Sequence, residues 1–261
     1  MSVPATDGGV PRDDTGHPVP VPDRVRRVVS IVPSLTETVA ATAPGLLAGA
    51  TDWCTHPADL DVPRVRGTKN PDVDRIVALR PDVVVGNTEE NRPADVDALR
   101  AAGVPVWMTR IRTVEEALAS LRRMLAEACR VPVPAWLDDA GRAWAAAAPP
   151  GPARAAVVPI WRRPWMVVGR DTFTGDVLAR LGVANVYADH PERYPKIPIG
   201  ELNASGADLV VLPDEPYRFT ADDGPEAFPG LDCVLVDGRH LTWYGPSLVD
   251  APRVLAERLG R

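Results

Sequence analysis

The side chains with reactive chemistry in this 261-residue chain concentrate in short polar loops. Glu89 and Glu90 lie side by side in Asn87-Thr88-Glu89-Glu90-Asn91-Arg92. A carboxylate pair can supply acid and base when its surroundings hold the two proton affinities apart. With Asp52, these residues form the candidate catalytic set of an enzyme reading. Cys54 and His56, close to Asp52 in Thr51–His56, are metal-donor types and make an alternative metal site. That site needs further ligands, such as His190 or His240, which the sequence does not place beside them. Arg162 and Arg163 stand between Trp161 and Trp165. Guanidinium groups grip acidic groups, and indoles add apolar area with a polar edge. Ser34 beside Glu37 reads as a helix cap with its capping-box partner. No Gly-x-Ser-x-Gly elbow, Walker A loop or Gly-x-Gly-x-x-Gly turn occurs.

These loops need elements that end beside them. Arg27–Val32 reads as a buried strand, 36–43 as a helix and 46–50 as a second strand. Helix 72–79, strand 82–86, helix 93–102 and strand 104–108 follow, with Gly103 as a helix stop. Residues 113–150 show helical patterning alone, in 113–129 and in Ala135–Ala148. Strand–helix alternation then resumes through 155–160, 174–181, 208–212 and 233–236, with a terminal helix at 247–259. The order predicts an α/β fold: two parallel-sheet lobes over 26–112 and 151–261 flanking a helical segment, 113–150. Residues 1–25, polar and rich in Pro, Gly and Asp, read as a disordered tail. In parallel sheets ligands sit beyond the carboxyl ends of strands. The loops there carry Ser34, Asp52, Trp53, Lys69, Asn70, Glu90, Trp161, Arg162, Trp165, Tyr217, Trp243 and Tyr244.

Composition narrows the partners. The formal net charge of −6 argues against a broad grip on nucleic acid. No apolar run is long enough for a membrane span. Three cysteines with no Cys-x-x-Cys pair are no disulfide framework and fit a reducing compartment. The polar start lacks a signal-peptide pattern, so the expectation is a cytoplasmic protein. Prolines number 29 and tryptophans 7, and several Trp fall in the strand-end loops, where a small-molecule site needs them.

Three blocks carry a resemblance: Arg27-Val-Val-Ser-Ile-Val-Pro-Ser-Leu-Thr-Glu-Thr, Gly49-Ala-Thr-Asp-Trp-Cys-Thr-His-Pro, and Asn70-Pro-Asp-Val-Asp-Arg-Ile-Val-Ala-Leu-Arg-Pro-Asp-Val-Val-Val. Trp161-Arg-Arg-Pro-Trp-Met-Val-Val-Gly-Arg-Asp-Thr-Phe and Leu241-Thr-Trp-Tyr-Gly-Pro agree with it. Together they resemble the cobalamin-binding type of class III substrate-binding protein, in the helical-backbone metal receptor superfamily. The resemblance implies two α/β lobes joined by a long bridging helix, for which Ala135–Ala148 is the natural candidate, and a ligand cleft between them. It implies reversible capture of cobalamin or another corrinoid, with siderophore-type chelates on the same frame. By motif the ligand would meet Asp52, Trp53, Lys69, Asn70, Trp161, Trp165, Arg170, Tyr217, Trp243 and Tyr244. The implied partner is an ABC permease or, for a cytoplasmic relative, a corrinoid-dependent enzyme. A binding protein and an enzyme recruited onto this frame are the two readings that follow.

Overall fold

The computed structural model describes residues 9–149 and 151–260. They fall into two compact units. Unit 1 holds the chain up to Arg110 together with Ala119–Pro134; unit 2 holds Ile111–Leu118 and the chain from Ala135 on.

Unit 1 is built on β1 (Val28–Ser30), α1 (Pro33–Thr42), β2 (Leu47–Ala50), β3 (Arg66–Gly67), β4 (Asn70–Pro71), α2 (Val73–Ala78), β5 (Val83–Asn87), α3 (Pro93–Ala101) and β6 (Val106–Thr109). Its sheet runs β2-β1-β5-β6, all parallel. The central strands are Val-rich and buried on both faces, as a parallel sheet covered by helices requires. Val29, Ile31, Ile76, Val84, Leu99 and Met108 are part of one apolar cluster. The short antiparallel pair β3–β4 forms a hairpin outside this sheet. Ser34 is not the N-cap of α1: Val32 is, with no side-chain cap, and Ser34 is buried inside the first turn. Pro33 starts the helix one step upstream, where its missing N–H costs nothing.

The expected disordered tail is corrected over residues 10–25; residues 1–8 of that expectation lie outside the described residues. Val19, Val21 and Val25 are buried. The Asp13 carboxylate accepts from the Thr15 and His17 N–H groups at 2.9 and 3.0 Å, from Met108 N–H at 3.3 Å and from Arg100 at 3.2 Å. Asp14 accepts from Arg110 N–H at 3.0 Å, from Arg123 at 2.9 Å and from the Ser120 hydroxyl. Side-chain acceptors meeting distant donors hold this strap down together with the buried valines.

Helix α4 (Val114–Arg123) continues as a π-turn over Met124–Ala128. Val114–Leu118 pack in unit 2 and Ala119–Ala128 in unit 1, so this helix is continuous through both. Helix α5 (Ala135–Ala145), the expected bridge, lies wholly in unit 2. Leu137, Ala140 and Trp144 form its buried stripe, and the helix packs on the turn Pro246–Val249.

Unit 2 continues with β7 (Arg154–Val157), β8 (Pro159–Arg162), β9 (Trp165–Val167), α6 (Phe173–Arg180), β10 (Val183–Asn185), α7 (Ile199–Asn203), β11 (Leu209–Pro213), β12 (Asp232–Val236), α8 (Gly238–Thr242) and α9 (Ala251–Leu259). Its sheet runs β10-β7-β11-β12, again parallel. Strands β8 and β9 form an antiparallel hairpin beside it. The α/β class with two parallel sheets is therefore the observed one. Strand β10, three residues long, and helix α8 had no sequence expectation. Among the described residues no helix is long and apolar enough to cross a membrane.

Candidate functional site

In unit 1 the loop after β5 is held by its two asparagines, both buried. Asn91 Oδ1 accepts from Asn87 N–H at 2.8 Å, and Asn87 Oδ1 accepts from Glu89 N–H at 2.8 Å. Asn91 Nδ2 donates to Ile31 O at 3.1 Å and to Thr68 O at 3.0 Å. Asn87 Nδ2 donates to Thr109 Oγ1 at 3.0 Å. These bonds join the ends of β1, β5 and β6 to the β3–β4 hairpin. Gly86 makes room for them: a Cβ there would stand 2.7 Å from Asn91 Oδ1 and 3.0 Å from Met108 Sδ.

On this rigid turn, Glu89 offers its carbonyl to the Lys69 ammonium. Burial pushes the Glu90 carboxyl up, and Lys69 pulls it partly back. Trp53 is 67% exposed. Its Nε1 lies 3.1 Å from the point a Cβ on Gly67 would occupy, and Asn70 Oδ1 lies 2.6 Å from the same point. Trp53, Lys69 and Asn70 thus gather at one hairpin, with Glu89 and Glu90 reached through Lys69. Asp52 is exposed nearby and its N–H donates to Arg66 O at 2.9 Å. Ser34 is not on this surface. Cys54 is also turned inward, 2.9 Å from Thr36 Oγ1 and 3.1 Å from Thr51 Oγ1, and burial raises its thiol. His56 sits instead beside Thr55. Among the described residues no three of His, Cys, Asp and Glu stand close enough to hold a metal ion.

In unit 2 the β8–β9 hairpin carries an aromatic group. Trp165 stacks on Phe219 at 6.0 Å and meets Phe228 edge-on at 5.2 Å. Tyr217 contacts Phe219 at 4.7 Å and Trp161 at 5.6 Å. The Tyr217 hydroxyl donates to Asp223 Oδ2 at 2.7 Å. The Arg162 guanidinium lies 5.6 Å over the Trp165 ring and pairs with Asp223 and Glu226. The Gly224 N–H and then Arg162 hold the Glu226 carboxyl below its ordinary range. Trp165 is therefore half-buried with Phe219 stacked on one ring face, whereas Trp161 is 43% exposed.

A hollow of about 400 Å³ opens at this hairpin, with Pro164, Trp165 and Pro198 as walls and Arg162, Arg163 and Lys196 as cations. Lys196 had no sequence expectation; it is one of only two lysines, with Lys69, in an arginine-rich chain, and that rarity does not place it at the hairpin. Arg170, by contrast, is an exposed partner of Asp171 at 3.6 Å. Trp243 and Tyr244, expected as loop-surface residues, are 6% and 5% exposed. The Trp243 indole N–H donates to Glu215 Oε2 at 2.7 Å, and Tyr244 meets Phe173 edge-on at 5.7 Å. They sit in the core because α8, missing from the sequence reading, folds the segment back onto α6 and α9.

The family model described as "Periplasmic binding protein" matches residues 28–226. The chain belongs to the periplasmic binding protein family. Among this family member's curated relatives, the vitamin B12-binding protein of Pectobacterium carotovorum is 24% identical over 75% of this chain and 74% of its own. The solved periplasmic vitamin B12-binding protein BtuF of Vibrio cholerae superposes with a TM-score of 0.70 at 17% identity, covering 90% of this chain and 96% of its own. The periplasmic haem-binding protein BhuT, solved with two haems, gives 0.72 at 25% identity, covering 90% and 97%.

Proposed function

We propose that this family member binds a metal chelate reversibly at its strand-end loops and does not transform it. The observation that carries this reading is the unit 2 hairpin face, where an exposed Trp161 stands on a packed aromatic base beside a cation-lined hollow. Rigid indoles next to a few fixed polar groups suit a large, flat, partly polar ligand. Unit 1 carries an exposed indole of its own, Trp53, on a hairpin fixed by Asn91. The relatives' vitamin B12 and haem support the chelate class. A corrinoid is the ligand the sequence blocks favour, and an ABC permease or a corrinoid-dependent enzyme is the partner that would receive it. Free thiols at Cys54, Cys129 and Cys233 support residence in a reducing compartment, which fractionation of the source cells tests.

Titration of the purified protein with cyanocobalamin and with haemin, followed by visible absorbance and calorimetry, tests the reading. Saturable one-to-one binding of either chelate is the expected result. Trp161→Ala should weaken it about tenfold or more, since each 1.4 kcal/mol is a factor of ten, and leave a cooperative melt. Absence of saturable binding for both chelates overturns the proposal.

A further inference from the structure

The hollow at the β8–β9 hairpin says more about the ligand than its size does. Of its three cations, Arg162 is neutralised by Asp223 and Glu226 and lies over Trp165. Arg163 and Lys196 line the hollow and have no ion-pair partner among the described residues. Both are exposed, and hydrogen bonds to the main chain fix where each stands. The Trp161 indole N–H donates to Arg163 O at 3.3 Å, which holds the hairpin turn. Met166 and Lys196 form an antiparallel bridge, and Ile197 N–H donates to Trp165 O at 3.2 Å, which sets Lys196 against the same hairpin. Two unneutralised cations therefore share one hollow in a chain whose acids outnumber its bases by 35 to 29.

We infer that the hollow reads ionised carboxylate arms, and that Arg163 and Lys196 select a carboxylate-bearing planar chelate over one rimmed with neutral amides or esters, which sets the hollow against the amide-rimmed corrinoid that the sequence blocks favour. This rests on the chelate-binding reading above. The physical argument is one of difference. A carboxylate placed between a guanidinium and an ammonium makes charge-assisted bonds roughly twice as strong as neutral ones. A neutral rim covers both cations and returns ion–dipole bonds alone, so their charge stays uncompensated. The Trp165 edge and the two prolines give the chelate's apolar body a wall without competing for the charges.

The experiment compares iron(III) protoporphyrin IX, which has two free carboxylates, with its dimethyl ester and with cyanocobalamin, each titrated into the full chain under one buffer and co-solvent. The expected result is that the free acid binds at least about tenfold more tightly than the ester, and that added salt narrows the gap. In the Arg163→Ala/Lys196→Ala double variant the gap should collapse, with the melting temperature unchanged. Lys196→Arg in the otherwise native chain should keep it. Equal affinity for acid and ester overturns this inference and leaves the chelate reading standing; so does a gap that survives the double variant. Failure of all three chelates to bind overturns both.

Discussion

Trp243 and Trp161 are the same residue type in similar loop-like sequence, yet they sit in opposite environments. Trp243 is buried and gives its N–H to Glu215; Trp161 is 43% exposed. Trp243→Phe removes that donor and leaves a half-buried carboxylate short of a partner, which costs about 1–3 kcal/mol. A thermal melt should register the loss, and a chelate titration of the surviving fold should not. Glu215 itself carries a pH signature. Burial, helped by Asp214 and Asp237, raises its carboxyl above the ordinary value, while Trp243 and Arg239 pull it down. A carboxyl raised in the folded state favours folding while it is protonated, and that benefit disappears as pH climbs through its folded-state value. Glu215→Gln keeps an acceptor for the indole and removes the charge. It should stabilise the protein at pH 7 and cease to do so near pH 4, about the ordinary value of a free glutamate. Melts of both proteins across that range decide it; a gain that grows toward acid contradicts the assignment. The thiols follow burial too. Cys129 is pushed up to about 12 by burial, Cys54 is buried as well, and Cys233 is only half-buried. Alkylation of the native protein, mapped by mass spectrometry, should mark Cys233 first, and all three sites only after denaturation.

At the scale of elements, legibility followed hydrophobic periodicity. Val83–Val85 and Leu209–Leu212 are unbroken apolar runs, and both are strands buried on both faces. Strand β10 has only three residues and no run to show. The candidate loops after β5 and within the β8–β9 hairpin were legible because polar and aromatic types break abruptly from those runs. Lys196 was not legible as a site residue: what places it beside Trp165 is a backbone bridge across thirty residues of sequence, which no local pattern encodes. The strap at residues 10–25 failed for a related reason. Its composition is that of a disordered segment, but Asp13, only 3% exposed, supplies acceptors to donors nearly a hundred residues away. Asp13→Ala therefore leaves Arg100 and the Met108 N–H without their acceptor. The expected loss is about 3 kcal/mol, in the range for breaking a buried pair, and denaturant unfolding measures it. A loss below about 0.5 kcal/mol, the usual size of a surface change, means the strap is dispensable.

For the molecule as a whole, the chain's path matters more than the domain order read from the sequence. A boundary near residue 112 looks natural, because strands stop there and helices begin. The structure returns Ala119–Pro134 to unit 1 after Ile111–Leu118 have packed in unit 2. The returning segment is a working part of unit 1: Leu121, Met124 and Leu125 are fully buried, Arg123 lies 5.4 Å over the buried Trp107 ring, and Asp14 takes Ser120 and Arg123 as donors. Three large apolar side chains at about 1.5–3 kcal/mol each sum to a stability comparable with that of an entire domain, about 5–15 kcal/mol. A fragment covering 1–112 lacks all of them and exposes Trp107; one covering 1–134 keeps them. The shorter fragment should be insoluble or melt without a cooperative transition. The longer should show a cooperative melt and a Trp107 signal in near-ultraviolet dichroism. Equal behaviour of the two would mean that the returning helix does not complete the first unit's core, and that the boundary at 112 separates a lobe able to fold by itself.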